Sequence, residues 1–229
     1  KSSRPRTKRR PDYSTRPVGR VVGIDRGRYA VAGEGGVSLV AIKARELPRG
    51  SVVIGDLVRL TGDLSGRPDT LARIVHVEER RNVLRRSLEE ADEGRGEKIM
   101  VANVDLVVIV TASANPTPRV GMVERALVAA HEAGVPALLC MTKEDLADPA
   151  DFVAKFEGFE VEVMTTDVIA GTGVAALETR LTGLFSVLIG HSGVGKSTLI
   201  NAIVPDAARA VGEVNVATGK GRHTSTSAL

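Results

Sequence analysis

The sequence predicts an α/β domain with a parallel sheet, preceded by a small all-β barrel of the OB type. Three observations carry that reading. Five short β-prone runs with glycine and aspartate turns between them occupy about 60 residues near the start. From residue 104 onward, apolar runs alternate with helically spaced segments, as in a parallel sheet covered by helices. Two loop motifs follow strands of that second half, and their order is the reverse of the usual one.

Residues 1–16 contain Pro5 and Pro11, dense charge and almost no apolar content, so they read as a flexible basic arm. Residues 1–20 carry eight Lys/Arg against Asp12, while the whole chain sums to +3, so the body is mildly acidic. A basic arm on an acidic body suits docking on nucleic acid by phosphate neutralisation. The barrel strands are expected at 18–24, 28–32, 37–42, 56–60 and 71–77, within a domain spanning 17–90. The charged segment 78–98 reads as a linker or barrel-edge turn, with the linker proper at 91–97.

The α/β domain is assigned to 98–229. Its first buried strand is 104–112, an almost continuous apolar run. Val120, Val123, Leu127 and Ala130 then recur at helical spacing, and Gly134 closes that helix. A strand at 135–141, a helix near 150–157, a strand at 160–165 and a helix at 174–181 follow. A last strand, 185–189, runs into a glycine-rich loop, and a helix at 196–204 leaves it.

Composition excludes several classes. With 43% hydrophobic and 26% charged residues, the chain can bury a core. Its longest apolar stretch, 104–112, contains Asp105 and is too short to span a bilayer. No membrane partner is expected, and a reducing cytoplasm is the simplest home. Cys140 is the single cysteine, which rules out an internal disulfide and a thiolate-rich zinc cluster in this chain.

The glycine-rich loop is Gly190-His191-Ser192-Gly193-Val194-Gly195-Lys196-Ser197, followed by Thr198. It fits G-x-x-x-x-G-K-[ST] in the required strand-to-helix context. The glycines let backbone N–H groups close on phosphate oxygens at the positive end of a helix. Lys196 is expected on the β- and γ-phosphates, and the Ser197 hydroxyl on Mg²⁺. Upstream, Thr142-Lys143-Glu144-Asp145 follows a buried strand. A carboxylate at Asp145 can accept two hydrogen bonds from the N1–H and exocyclic amine of guanine, which adenine cannot offer. Lys143 can lay its stem along the base, and Thr142 stands where Asn is more common. Meeting the base motif before the phosphate loop marks a circularly permuted P-loop GTPase domain.

Gly219-Lys220-Gly221-Arg222-His223-Thr224-Ser225-Thr226 lies where a first switch loop is expected. Either Thr224 or Thr226 would complete the Mg²⁺ shell, and His223 is a candidate for orienting the attacking water. Met164-Thr165-Thr166-Asp167 with Gly171-Thr172-Gly173 occupies the place of the short Ser-Ala element beside the base, and matches it poorly.

Together these residues resemble the ribosome small-subunit-dependent GTPase A family of bacterial ribosome-assembly factors. The resemblance rests on the barrel, the Ile99-Met100-Val101-Ala102-Asn103-Val104-Asp105 entry strand, the inverted motif order, and GHSGVGKSTLIN followed by GKGRHTST. It implies binding of GTP/GDP with Mg²⁺, and hydrolysis of GTP stimulated by the small (30S) ribosomal subunit in late maturation of that particle. It also implies rRNA contacts through the barrel. Similar proteins continue into an Asp-x-x-Gly motif and a zinc-binding domain, so Zn²⁺ is expected only outside this chain. The 229 residues therefore read as part of a longer polypeptide. Its sheet is expected to lack the strands after the switch, leaving an open edge beside the phosphate-loop strand. A second reading is an RNA- or ribosome-binding module with a regulatory, weakly hydrolytic nucleotide site. A third is an ATP-using P-loop enzyme.

Overall fold

The computed structural model describes residues 12–86, 98–204, 212–218 and 222–228. Residues 1–11 of the basic arm lie outside them, as do 91–97 and Gly219 to Gly221. The first five strands are β1 (Val18–Asp25), β2 (Arg28–Ala32), β3 (Ser38–Lys43), β4 (Leu57–Gly62) and β5 (Ala72–Val77). They close into a barrel in the order β1-β2-β3-β5-β4. Alternation drives it: Val21, Tyr29, Val31, Leu39, Ala41, Val58, Leu60 and Ile74 point inward and are buried. Arg28, Ala30, Val40 and Arg73 alternate outward. Arg26 (φ 44°) and Gly27 (φ 81°) form the two-residue turn between β1 and β2, whose twist matches the paired strands.

The described part of the charged stretch after the barrel, residues 78–86, contains a strand. β6 (Val83–Arg86) pairs antiparallel with β7 (Lys98–Ala102). The cause is local, because Leu84 is buried in one cluster with Ile54 of the barrel and Val101 of β7. The expected entry strand is interrupted at Asn103, whose φ of 56° turns the chain before the sheet begins.

The sheet contains β8 (Leu106–Ala112), β9 (Ala137–Thr142), β10 (Glu162–Thr166), β11 (Ser186–His191), β12 (Gly212–Thr218) and β13 (Arg222–Ala228), in the order β10-β9-β8-β11-β13-β12. β10, β9, β8 and β11 are mutually parallel. Every residue of β8 is buried, as its apolar run requires. Helix α1 (Val120–Glu132) packs Met122, Val123, Ala126, Leu127 and Ala130 on one face of the sheet, beside Phe152 and Phe156. The predicted helix over 150–157 is α2 (Ala150–Val153) continued by a tighter turn over Ala154–Phe156. On the opposite face, α3 (Val174–Leu181) and α4 (Lys196–Ile203) bury Leu177, Leu181, Leu199, Ile200 and Ile203.

The edge beside the phosphate-loop strand is not open. β13 pairs antiparallel with β11, setting His191 opposite Thr224 and Ile189 opposite Thr226, and β12 pairs with β13. Residues 222–226, expected as loop, therefore belong to a strand. An unpaired β11 edge offers a complete ladder of donors and acceptors, and the Thr/Ser-rich run has the β-branched character that fills one.

Candidate nucleotide-binding site

β8 leads to α1 on one face of the sheet, while its neighbour β11 leads to α4 on the other. Where successive connections diverge in this way, a crevice opens beyond the carboxyl ends of the strands, and ligands of open α/β sheets bind there. A pocket of about 380 Å³ lies at that crevice, lined by Thr111, Pro116, Thr117, Arg119, His191, Ser192 and Val194.

The phosphate loop forms its floor. Gly190 is confined by the sheet: a Cβ there would lie 2.3 Å from the Val110 carbonyl oxygen. Gly193 (φ 82°) and Gly195 (φ 95°) take left-handed conformations that bend the chain into the start of α4. Val194 is buried beneath the loop, whereas Ser192 and Gly193 are exposed. Lys196 is 5% exposed, and its Nζ donates to the carbonyls of Gly190 and His191, both at 2.8 Å. Ser197 and Thr198 stand exposed on the first turn of α4.

The base-motif loop meets this floor directly. Buried Thr142 ends β9, and its Oγ1 donates to the Val194 carbonyl at 2.5 Å, with the Thr111 carbonyl at 3.4 Å. Lys143, at φ 58°, places Nζ on the carbonyls of Gly193 (2.8 Å) and Asn115. Two loops about 50 residues apart in sequence are thus joined by side-chain bonds. Glu144 and Asp145 follow, both exposed. His223, Thr224 and Thr226 are placed by backbone only: His223 pairs with Ala217, while the two threonines lie alongside β11.

The sequence reading passed over one wall of the pocket. The segment after β8, carrying Asn115, Pro116, Thr117 and Arg119, forms that wall and is fastened by Lys143. Its signal is an Asn-Pro loop directly after a buried parallel strand. Asp167 organises the loop after β10: its Oδ1 accepts the N–H groups of Ile169 (2.8 Å) and Ala170 (3.1 Å). Gly173 (φ 72°) packs so tightly there that a Cβ would lie 2.1 Å from the Thr165 carbonyl oxygen. Beneath this loop, burial pushes the Cys140 thiol up to about 11, opposed by its contact with Thr166 Oγ1 at 3.7 Å.

A parallel sheet with a phosphate loop at its switch point, tethered to a loop that precedes it in sequence, defines a circularly permuted P-loop GTPase fold. A family model described as RsgA GTPase matches residues 77–229, and the chain belongs to that family. It is 38% identical over 143 residues to the small ribosomal subunit biogenesis GTPase RsgA of Pseudomonas syringae pv. tomato, covering 59% of this chain and 41% of the relative. The corresponding protein of Ectopseudomonas mendocina is 40% identical over 137 residues, covering 57% and 40%. The chain therefore spans about two-fifths of the length of these relatives. Among solved structures, YjeQ from Thermotoga maritima matches with a TM-score of 0.62 and 24% identity, over 90% of this chain and 72% of that one. YloQ, described as a circularly permuted GTPase, matches at 0.58 and 23%, over 90% and 69%.

Proposed function

We propose that this chain binds guanine nucleotide and hydrolyses GTP to GDP and phosphate, as a switch in late maturation of the small ribosomal subunit. The observation that carries the reading is the pair of bonds from Thr142 and Lys143 to Val194 and Gly193, which sets a base-reading loop against a phosphate loop. Asp145, exposed just past that junction, would take the guanine N1–H and amine. Gly190 to Lys196 would wrap the phosphates with backbone N–H groups, and Lys196 would exchange its carbonyl partners for phosphate oxygens.

The residues also suit Mg²⁺. Ser197 offers an exposed hydroxyl on the helix turn beside Lys196. Among the described residues no group of three or more His, Cys, Asp or Glu could hold a metal. A single exposed hydroxyl at Ser197 fits an ion whose shell comes mainly from substrate phosphates and water. Ser197, with Thr224 or Thr226, would hold it, and it would neutralise charge on the β- and γ-oxygens. His223 remains the candidate for orienting water.

The names of the relatives support the small ribosomal subunit as a partner, and we extend the proposal to its rRNA and to a cytoplasmic site of action. No helix among the described residues is long and apolar enough to cross a membrane. We assign RNA contact to the barrel of residues 17–90, whose outer face exposes Arg28 and Arg73, and nucleotide chemistry to residues 98–229. The test is nucleotide binding plus phosphate release with and without small subunits. The expected result is preference for GTP over ATP and release that rises with subunits. Equal affinity for ATP would overturn the guanine assignment. GTP binding without subunit-stimulated release would favour the RNA-binding module.

A further inference from the structure

One wall of the pocket holds a cation that the reading above does not use. Arg119 stands immediately before α1 and lines the same pocket as His191 and Ser192. It is exposed, and its guanidinium makes no hydrogen bond or ion pair among the described residues. The segment carrying it is nonetheless fixed to the phosphate loop. Lys143 binds the carbonyls of Asn115 and Gly193 together. Pro116 Cδ lies 3.8 Å from where a Cβ on Gly193 would stand. The two lysines of the site are anchored differently, each with Nζ on two backbone carbonyls.

Phosphoryl transfer from GTP spreads negative charge over the γ-phosphoryl oxygens and the β–γ bridging oxygen. A water oxygen bonds to Pγ, the bond from Pγ to the bridging oxygen breaks, and that oxygen departs on GDP with the electron pair. The water protons pass to phosphate and solvent. A guanidinium suits this step because it stays charged, gives up no proton, and presents a planar fork of donors. We infer that Arg119 is a catalytic residue supplied in cis, reaching across the pocket to the γ-phosphoryl group as its charge develops. This rests on the GTPase reading and adds to it the residue that stabilises the transition state from the α1 side.

The test compares full-length wild type with Arg119→Ala and Arg119→Lys. Single-turnover GTP hydrolysis with small subunits, GDP affinity, and GDP retention with aluminium fluoride, which imitates the transferring phosphoryl group, are measured for each. Arg119→Ala should slow turnover by about 10²-fold or more. GDP affinity should stay within about three-fold, since the arginine acts on the transition state rather than on bound GDP. Fluoride-dependent retention should be lost, and Arg119→Lys should restore turnover only in part, having charge without the fork. Turnover within about three-fold of wild type in Arg119→Ala would overturn the assignment, as would equal losses in turnover and GDP affinity. A wild-type protein that releases no phosphate would remove the GTPase reading and this inference together.

Discussion

Thr142 shows how much one side chain decides here. Its hydroxyl carries a single proton yet faces two carbonyls, Val194 at 2.5 Å and Thr111 at 3.4 Å, and the shorter contact is the one that joins the loops. Threonine stands here where asparagine is more common, and its hydroxyl supplies the loop-to-loop tie. Thr142→Val preserves the shape and removes the proton. It should cost about 1–3 kcal/mol by leaving the Val194 carbonyl unsatisfied, seen as a lower unfolding midpoint together with weaker nucleotide binding. Unchanged values would mean that the tie contributes nothing. Asp145 belongs to the same scale. Asp145→Asn replaces an acceptor pair by a mixed donor and acceptor, so preference should move from guanine toward xanthine nucleotides in a competition assay. Retained guanine preference would place base reading elsewhere.

At the scale of elements, the phosphate loop works because β11 lies close against β8. Gly190 sits in that packed pair, where a Cβ would come within 2.3 Å of a backbone oxygen that cannot swing away. Gly190→Ala should therefore force β11 from β8 and destabilise by about 1–3 kcal/mol, as overpacking does. Thermal unfolding measures this, and a midpoint equal to wild type would show that the sheet yields freely. The β12–β13 hairpin shows the opposite behaviour. A Thr/Ser run that reads as a loop in isolation becomes a strand once β11 offers it a ladder. Barrel strands, by contrast, were legible almost to the residue, because inward and outward positions alternate and β turns carry their own chemistry.

At the scale of the whole molecule, barrel and sheet meet through a polar junction. Asn103, 1% exposed, donates to the Gly55 carbonyl at 3.0 Å and accepts from the Arg81 N–H at 2.8 Å. Arg20 of β1 stands 4.6 Å over the ring of Phe185, at the start of the strand that ends in the phosphate loop. Asp105 accepts from Arg81 at 2.7 Å and from the Phe185 N–H at 2.9 Å. Burial works to raise its pKa, but those two hydrogen bonds, with the charges of Arg81 and Arg20, hold the carboxyl below its usual range. A depressed folded-state pKa adds stability above the unfolded value of about 3.9, and that stability is lost as pH falls through the folded value. The unfolding midpoint should thus drop below about pH 4, and Asp105→Asn should flatten that limb. An identical acid limb in the variant would clear Asp105 of the role.

Strand alternation, the phosphate loop with its strand and helix, and the reversed order of the two motifs were all readable along the chain. Each depends on residues close in sequence, whose spacing and backbone preferences act locally. Only the folded structure decided that Thr142 and Lys143 grip Val194 and Gly193, that Leu84 of β6 packs with Ile54 and Val101, and that Arg119 shares a pocket with the phosphate loop. Those outcomes depend on contacts between segments far apart in the chain, and packing alone brings them within reach of one another.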